Sequence, residues 1–87
     1  MKSDKTVDLV VYGREACHLC NQMILALEER QKQVPFDFQV IDIDTDSDLV
    51  ARFNDRIPVL MSYSDQIEIC HFHFDNAAFD DYLARFR

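Results

Sequence analysis

A chain of 87 residues that is 48% hydrophobic is too apolar to stay disordered and has room for one core. Nine basic against sixteen acidic residues give a formal net charge of −7. That excludes a surface built to neutralise nucleic-acid phosphates or an anionic membrane, and the single glycine, Gly13, excludes dinucleotide and P-loop motifs.

The stretch Met1 to Thr6 is polar and reads as a flexible tail, leaving residues 7–87 as the domain. A short apolar run, Val7 to Tyr12, follows it, and it resembles neither a signal peptide nor a membrane span. Three cysteines are too few, and odd in number, for a secreted disulfide scaffold. The protein is therefore predicted to be soluble and cytoplasmic, where two cysteines three apart signal redox chemistry or a metal.

Asp8 to Tyr12 is rich in β-branched residues and predicts a buried strand ending at Gly13. From Cys17 to about Gln33 the spacing turns helical, with Met23, Ile24, Leu27 and the stem of Arg30 on one face. Pro35 ends that helix. Asp37 to Asp42 predicts a second strand, parallel to the first through a right-handed crossover. Asp46 or Ser47 then caps a short helix carrying Leu49, Val50 and Phe53, with Asn54 expected in a left-handed conformation after it. Ile57 to Met61 opens a third strand, Ser64-Asp65 turns, and Gln66 to His71 returns antiparallel. Asp75 or Asn76 caps a last helix with Ala78, Phe79, Tyr82, Leu83 and Phe86 on its apolar side. The predicted order is β-α-β-α-β-β-α, with no internal repeat or linker.

Chemistry concentrates at Cys17-His18-Leu19-Cys20, directly after a strand and glycine and at a helix start. That spacing sets both sulfurs on one side of the first turn, close enough to bridge. Unpaired N–H groups and the positive end of the helix dipole stabilise a thiolate there, so Cys17 is the expected nucleophile. Cys20, one turn deeper, is expected to resolve the mixed disulfide. Arg14 and His18 add positive charge beside Cys17, and Glu15 opposes it.

Val11 to Cys20, then Val40-Ile41-Asp42, then Arg56-Ile57-Pro58-Val59-Leu60 together resemble a glutaredoxin-like protein of the thioredoxin superfamily. The resemblance runs from about Val7 to Phe86. It implies an α/β, thioredoxin-like (glutaredoxin-type) fold: a four-stranded mixed sheet with helices on both faces. It also implies a cis Ile57–Pro58 peptide beside the cysteine pair, with the backbone before the proline free to pair with an extended substrate. The substrate-binding set is then Arg14, His18, Arg56, Ile57 and Pro58, around the catalytic Cys17 and Cys20.

The chain departs from the family in two places. It lacks the Trp that precedes the motif in thioredoxins, and Phe72-His73 replaces the Gly-Gly pair where glutaredoxin backbone approaches glutathione. Side chains at that point crowd the tripeptide, and Asp75 repels a carboxylate, so glutathione is expected to bind poorly and no tightly bound cofactor is implied. Cys70, His71 and His73 suggest a zinc site with the cysteine pair, but on a strand Cys70 and His71 point to opposite faces. A packed Cys70 with two surface histidines is the preferred reading, with no metal assigned. Asp42, Asp44, Asp46 and Asp48 alternate like a calcium loop but lack its glycine, and read as caps and helix-start carboxylates. Met23, Phe53, Phe79 and Phe86 are assigned to the core.

The sequence thus predicts a small thiol–disulfide oxidoreductase of cell redox homeostasis, monomeric, acting on a disulfide-containing protein or a low-molecular-weight thiol. The competing reading is a degenerate thioredoxin-fold binding module that holds a protein partner, zinc or an iron–sulfur cluster through the same cysteines.

Overall fold

Strand β1 (Asp8–Gly13) alternates its side chains between two apolar faces, which is why its sequence is a continuous hydrophobic run rather than an alternating one. Leu9 and Val11 enter one core, and Val10 and Tyr12 enter the other. The computed structural model describes residues 8–86. The tail assigned to residues 1–6 and the side chain of Phe86 lie outside the described residues.

Around β1 the chain forms a four-stranded mixed sheet with the order β2-β1-β3-β4. β2 (Asp37–Asp42) runs parallel to β1, with Val11 opposite Val40, and the connection is helix α1 (His18–Gln31). β3 (Val59–Ser62) lies antiparallel on the other side of β1, and β4 (Glu68–His71) is antiparallel to β3. A 3₁₀ turn (Ile43–Thr45) and helix α2 (Ser47–Phe53) separate β2 from β3, and helix α3 (Asn76–Phe86) closes the chain. The glutaredoxin-type architecture expected from the sequence is the one observed.

One face of the sheet packs Met23 and Leu27 of α1 and Phe79, Tyr82 and Leu83 of α3 against Leu9, Val11 and Leu60. The other packs Phe53 of α2 and Ile43 against Val10, Tyr12, Val59 and Met61. There the rings of Tyr12 and Phe53 stack with centroids 4.6 Å apart. Arg30 ties α1 to α3: it lies 5.0 Å over the Phe79 ring and hydrogen-bonds Asn76 and Asp80.

Helix starts follow the expected caps. Asp46 accepts from the Asp48 N–H at 2.8 Å, and Asp75 accepts from the Ala78 N–H at 3.0 Å. Asn54 does not adopt the expected left-handed conformation. Its φ of −51° and ψ of −35° are right-handed, its N–H bonds to the Val50 carbonyl, and its amide oxygen is held by Arg14. The chain therefore leaves α2 through one more turn, closed by Arg56 N–H to Phe53 C=O at 2.8 Å. The β3–β4 connection is also longer than a two-residue hairpin. Gln66 takes a positive φ of 55°, and a bulge leaves Ile69 between the Leu60–Cys70 and Met61–Glu68 pairs.

Candidate active site

Cys17 is the N-cap of α1, and its sulfur accepts the Cys20 N–H at 3.2 Å. A thiolate at this position faces an unpaired helix amide and the positive dipole end, and the first turn of α1 carries no acidic residue to offset them. Cys17 and Cys20 form a disulfide, with Cα atoms 5.2 Å apart. Their exposure differs: Cys20 is 2% exposed against the core, while Cys17 is half-buried.

Gly13 makes this depth of burial attainable. A Cβ at Gly13 would sit 2.9 Å from the Cys20 sulfur and 3.3 Å from its Cβ, closer than real side chains stand. The end of β1 must be glycine for α1 to seat Cys20 against the sheet. The sequence holds the clue, since its single glycine ends the strand four residues before Cys17, but spacing alone does not show which sulfur meets it.

The predicted substrate-binding residues are spread around this centre. Pro58 is buried, Ile57 is half-buried against the α2-side core, and the Ile57–Pro58 peptide is cis. His18 is exposed and hydrogen-bonded with Gln22 one turn on, at 3.0 Å. Both arginines are engaged within the fold. Arg14 binds the two carboxylate oxygens of Asp44 at 2.9 Å each and the Asn54 amide oxygen at 2.9 Å. That hydrogen bonding holds the Asp44 carboxyl below the usual carboxylate range. Arg56 bonds Glu68 at 3.1 Å and the Arg52 carbonyl at 3.4 Å, and Glu68 also bonds His71 at 2.7 Å. Arg14 and Cys20 line a common cavity with Gly13, Asn21, Val40 and Asp42 on the β2 side of the motif.

On the other side of the motif, the segment after β4 crosses beside Pro58. The Phe72 N–H donates to the Pro58 carbonyl at 2.9 Å. Phe72 has φ 66°, the left-handed region that favours glycine, so the pair written Phe72-His73 stands at a position built for glycine geometry. Cys70 packs into the α1–α3 core and burial pushes its thiol pKa up, which marks an inert thiol. Among the described residues no three His, Cys, Asp or Glu side chains come together to hold a metal ion. Nor, among those residues, is any helix long and apolar enough to cross a membrane.

Residues 8–84 match the glutaredoxin-like domain family. The chain is similar to a solved protein from Nitrosomonas europaea, with 40% identity over 94% of this chain and 96% of that one and a TM-score of 0.83. It is also similar to one from X. campestris, at 30% identity over 88% and 96% of the two chains, with a TM-score of 0.71. Escherichia coli glutaredoxin superimposes with a TM-score of 0.54 at 19% identity, covering 90% of this chain and 94% of that one; this shows the shared fold alone. Among curated protein sequences none matches.

Proposed function

Because the chain belongs to the glutaredoxin-like domain family, we propose that it is a thiol–disulfide oxidoreductase working through Cys17 and Cys20. The observation that carries the reading is the asymmetry of the pair: Cys17 caps the helix and accepts an amide at 3.2 Å, while Cys20 is 2% exposed. The Cys17 thiolate attacks one sulfur of a client disulfide and forms a mixed disulfide, and the other client sulfur leaves as a thiolate. The Cys20 thiolate then attacks Cys17, which releases the second client thiolate and leaves the Cys17–Cys20 bridge. Two electrons have passed to the client, and an external dithiol returns them by the same exchange in reverse. Cys20 reaches Cys17 without leaving the first turn, because the two Cα atoms are already 5.2 Å apart.

The donor in this proposal is a dithiol rather than glutathione. A phenylalanine and a histidine occupy the turn beside Pro58, and Arg14 and Arg56 are already paired with Asp44 and Glu68. A tripeptide bearing two carboxylates therefore meets bulk where it needs backbone and finds its cations engaged. The working form is a cytoplasmic monomer acting on disulfide-bearing protein.

The test is ordered alkylation of the reduced protein at mildly acidic pH, read by mass spectrometry. Cys17 is expected to be modified well before Cys20 or Cys70, Cys17→Ser to abolish exchange, and Cys20→Ser to trap a mixed disulfide. Equal labelling of all three thiols would overturn the assignment. A protein that binds zinc or an iron–sulfur cluster through the pair, with no turnover, would favour a binding module instead.

A further inference from the structure

Phe72 is strained, apolar and exposed at once, beside the cysteine motif. Its φ of 66° lies in the left-handed region, which a bulky L-residue disfavours. Two hydrogen bonds hold it there: its own N–H to the Pro58 carbonyl at 2.9 Å, and the His73 N–H to the His71 carbonyl at 2.7 Å, which closes a three-residue turn around it. Glycine would meet the same backbone demand without strain, and a polar residue such as Asn would meet it with little. Yet Phe72 is 41% exposed, and among the described residues its one aromatic neighbour is the His71 imidazole, edge-on at 4.8 Å.

The ring lines a cavity of about 250 Å³ with Leu19, Gln22, Met23, His73 and Phe74. Leu19 lies between the two cysteines in sequence, so one wall of this cavity belongs to the helix turn that carries the redox pair. Small-molecule sites run to roughly 300–1,000 Å³, and this one is nearer the scale of a single side chain. The chain as a whole carries a net charge of −7, Asp75 follows directly on Phe74 of this cavity and caps α3, and the cations Arg14 and Arg56 are paired with Asp44 and Glu68.

We propose that Phe72 determines specificity for the client polypeptide. With Leu19 beside it and the buried Met23 as floor, it receives one apolar side chain next to the attacked cystine, in an extended segment whose basic residues complement the negative net charge of the chain. This inference rests on the dithiol reading of Cys17 and Cys20 and adds to it what the client must carry.

The test uses pre-reduced protein in single turnover and two lysine-containing peptides, identical except for Leu or Ser beside the cysteine. Each cysteine is linked by a disulfide to 2-nitro-5-thiobenzoate, whose release is followed by absorbance. The wild-type protein is expected to cleave the Leu peptide about tenfold faster, in line with one apolar group entering a fitted site. Phe72→Asn, which tolerates the left-handed backbone, is expected to bring the ratio close to one, and Phe72→Leu to keep most of it. A wild-type ratio near one, or a ratio unchanged in Phe72→Asn, would overturn the proposal while leaving the dithiol chemistry standing. Failure of the wild-type protein to cleave either peptide or free dithiobis(nitrobenzoate) would sink the dithiol reading itself, and this inference with it.

Discussion

At the residue scale the tightest constraint is the contact between Gly13 and Cys20. A methyl group at residue 13 would stand 2.9 Å from the Cys20 sulfur, and that sulfur is bridged to Cys17 and walled in by core. Gly13→Ala is expected to destabilise the fold by about 1–3 kcal/mol, as overpacking does. The loss should be larger for the bridged protein than for the reduced one, whose Cys20 thiol can rotate away. Thermal melts of both redox forms check this, and an equal loss in the two would show that the sheet, not the sulfur, takes the strain. Cys70 supplies a second test. Burial raises its pKa in the folded state, so above the ordinary thiol range the unfolded chain has lost a proton that the folded one keeps. Stability is therefore fully present below that range and falls as pH rises through it. Denaturant unfolding at neutral and alkaline pH should show the decline, and Cys70→Ala should flatten this component.

At the scale of elements, the turn after β4 works against its own sequence. Glycine at residue 72 removes the left-handed penalty but loses the ring of a residue that is 41% exposed, with its edge-on contact with His71, so part of the gain is offset. Phe72→Gly is expected to stabilise the protein by about 0.5–1 kcal/mol. For a chain of this size that corresponds to a rise in Tm of a few degrees. A fall in Tm would mean that the ring carries packing beyond the His71 contact. Most elements were legible because each had a local cause: the apolar run of β1, Pro35 after α1, and Asp46 and Asp75 as caps. Asn54 misled because its backbone stays helical, with its N–H on the Val50 carbonyl, while its side chain serves Arg14, 40 residues away. The bulge at Ile69 was equally illegible, since it turns both Ile69 and Cys70 into one core and so breaks the strand period.

At the scale of the whole molecule, a net charge of −7 acts on every encounter. Reduction of a basic peptide disulfide is expected to slow as salt rises from low to physiological ionic strength, and that of an acidic one to quicken. Stopped-flow rates across a salt series measure both, and identical slopes would deny the charge a role in client choice. The catalytic pair was readable from sequence because two sulfurs on one helical turn need only local spacing. The surroundings of the pair were not. The sequence puts Arg14 and Arg56 in the substrate-binding set, and only the tertiary fold brings Asp44 and Glu68 to them. The cavity beneath Phe72 likewise joins the start of α1 to a turn more than 50 residues later, a meeting that no periodicity announces.

The strand that leads to the cysteines is the first among the described residues and lies inside the sheet, between β2 and β3. A chain emerging from the ribosome therefore presents Cys17 and Cys20 long before the partners that bury Cys20 have been made. In that interval the two thiols are separated by two residues, whereas Cys70 has yet to be synthesised. Closing so short a loop costs far less entropy than closing one to a distant cysteine. A nascent chain that meets an oxidant thus makes its native bridge first, and Cys70 then arrives with no free thiol to mispair with. Among Cys17, Cys20 and Cys70, this order of synthesis favours the native bridge without disulfide shuffling.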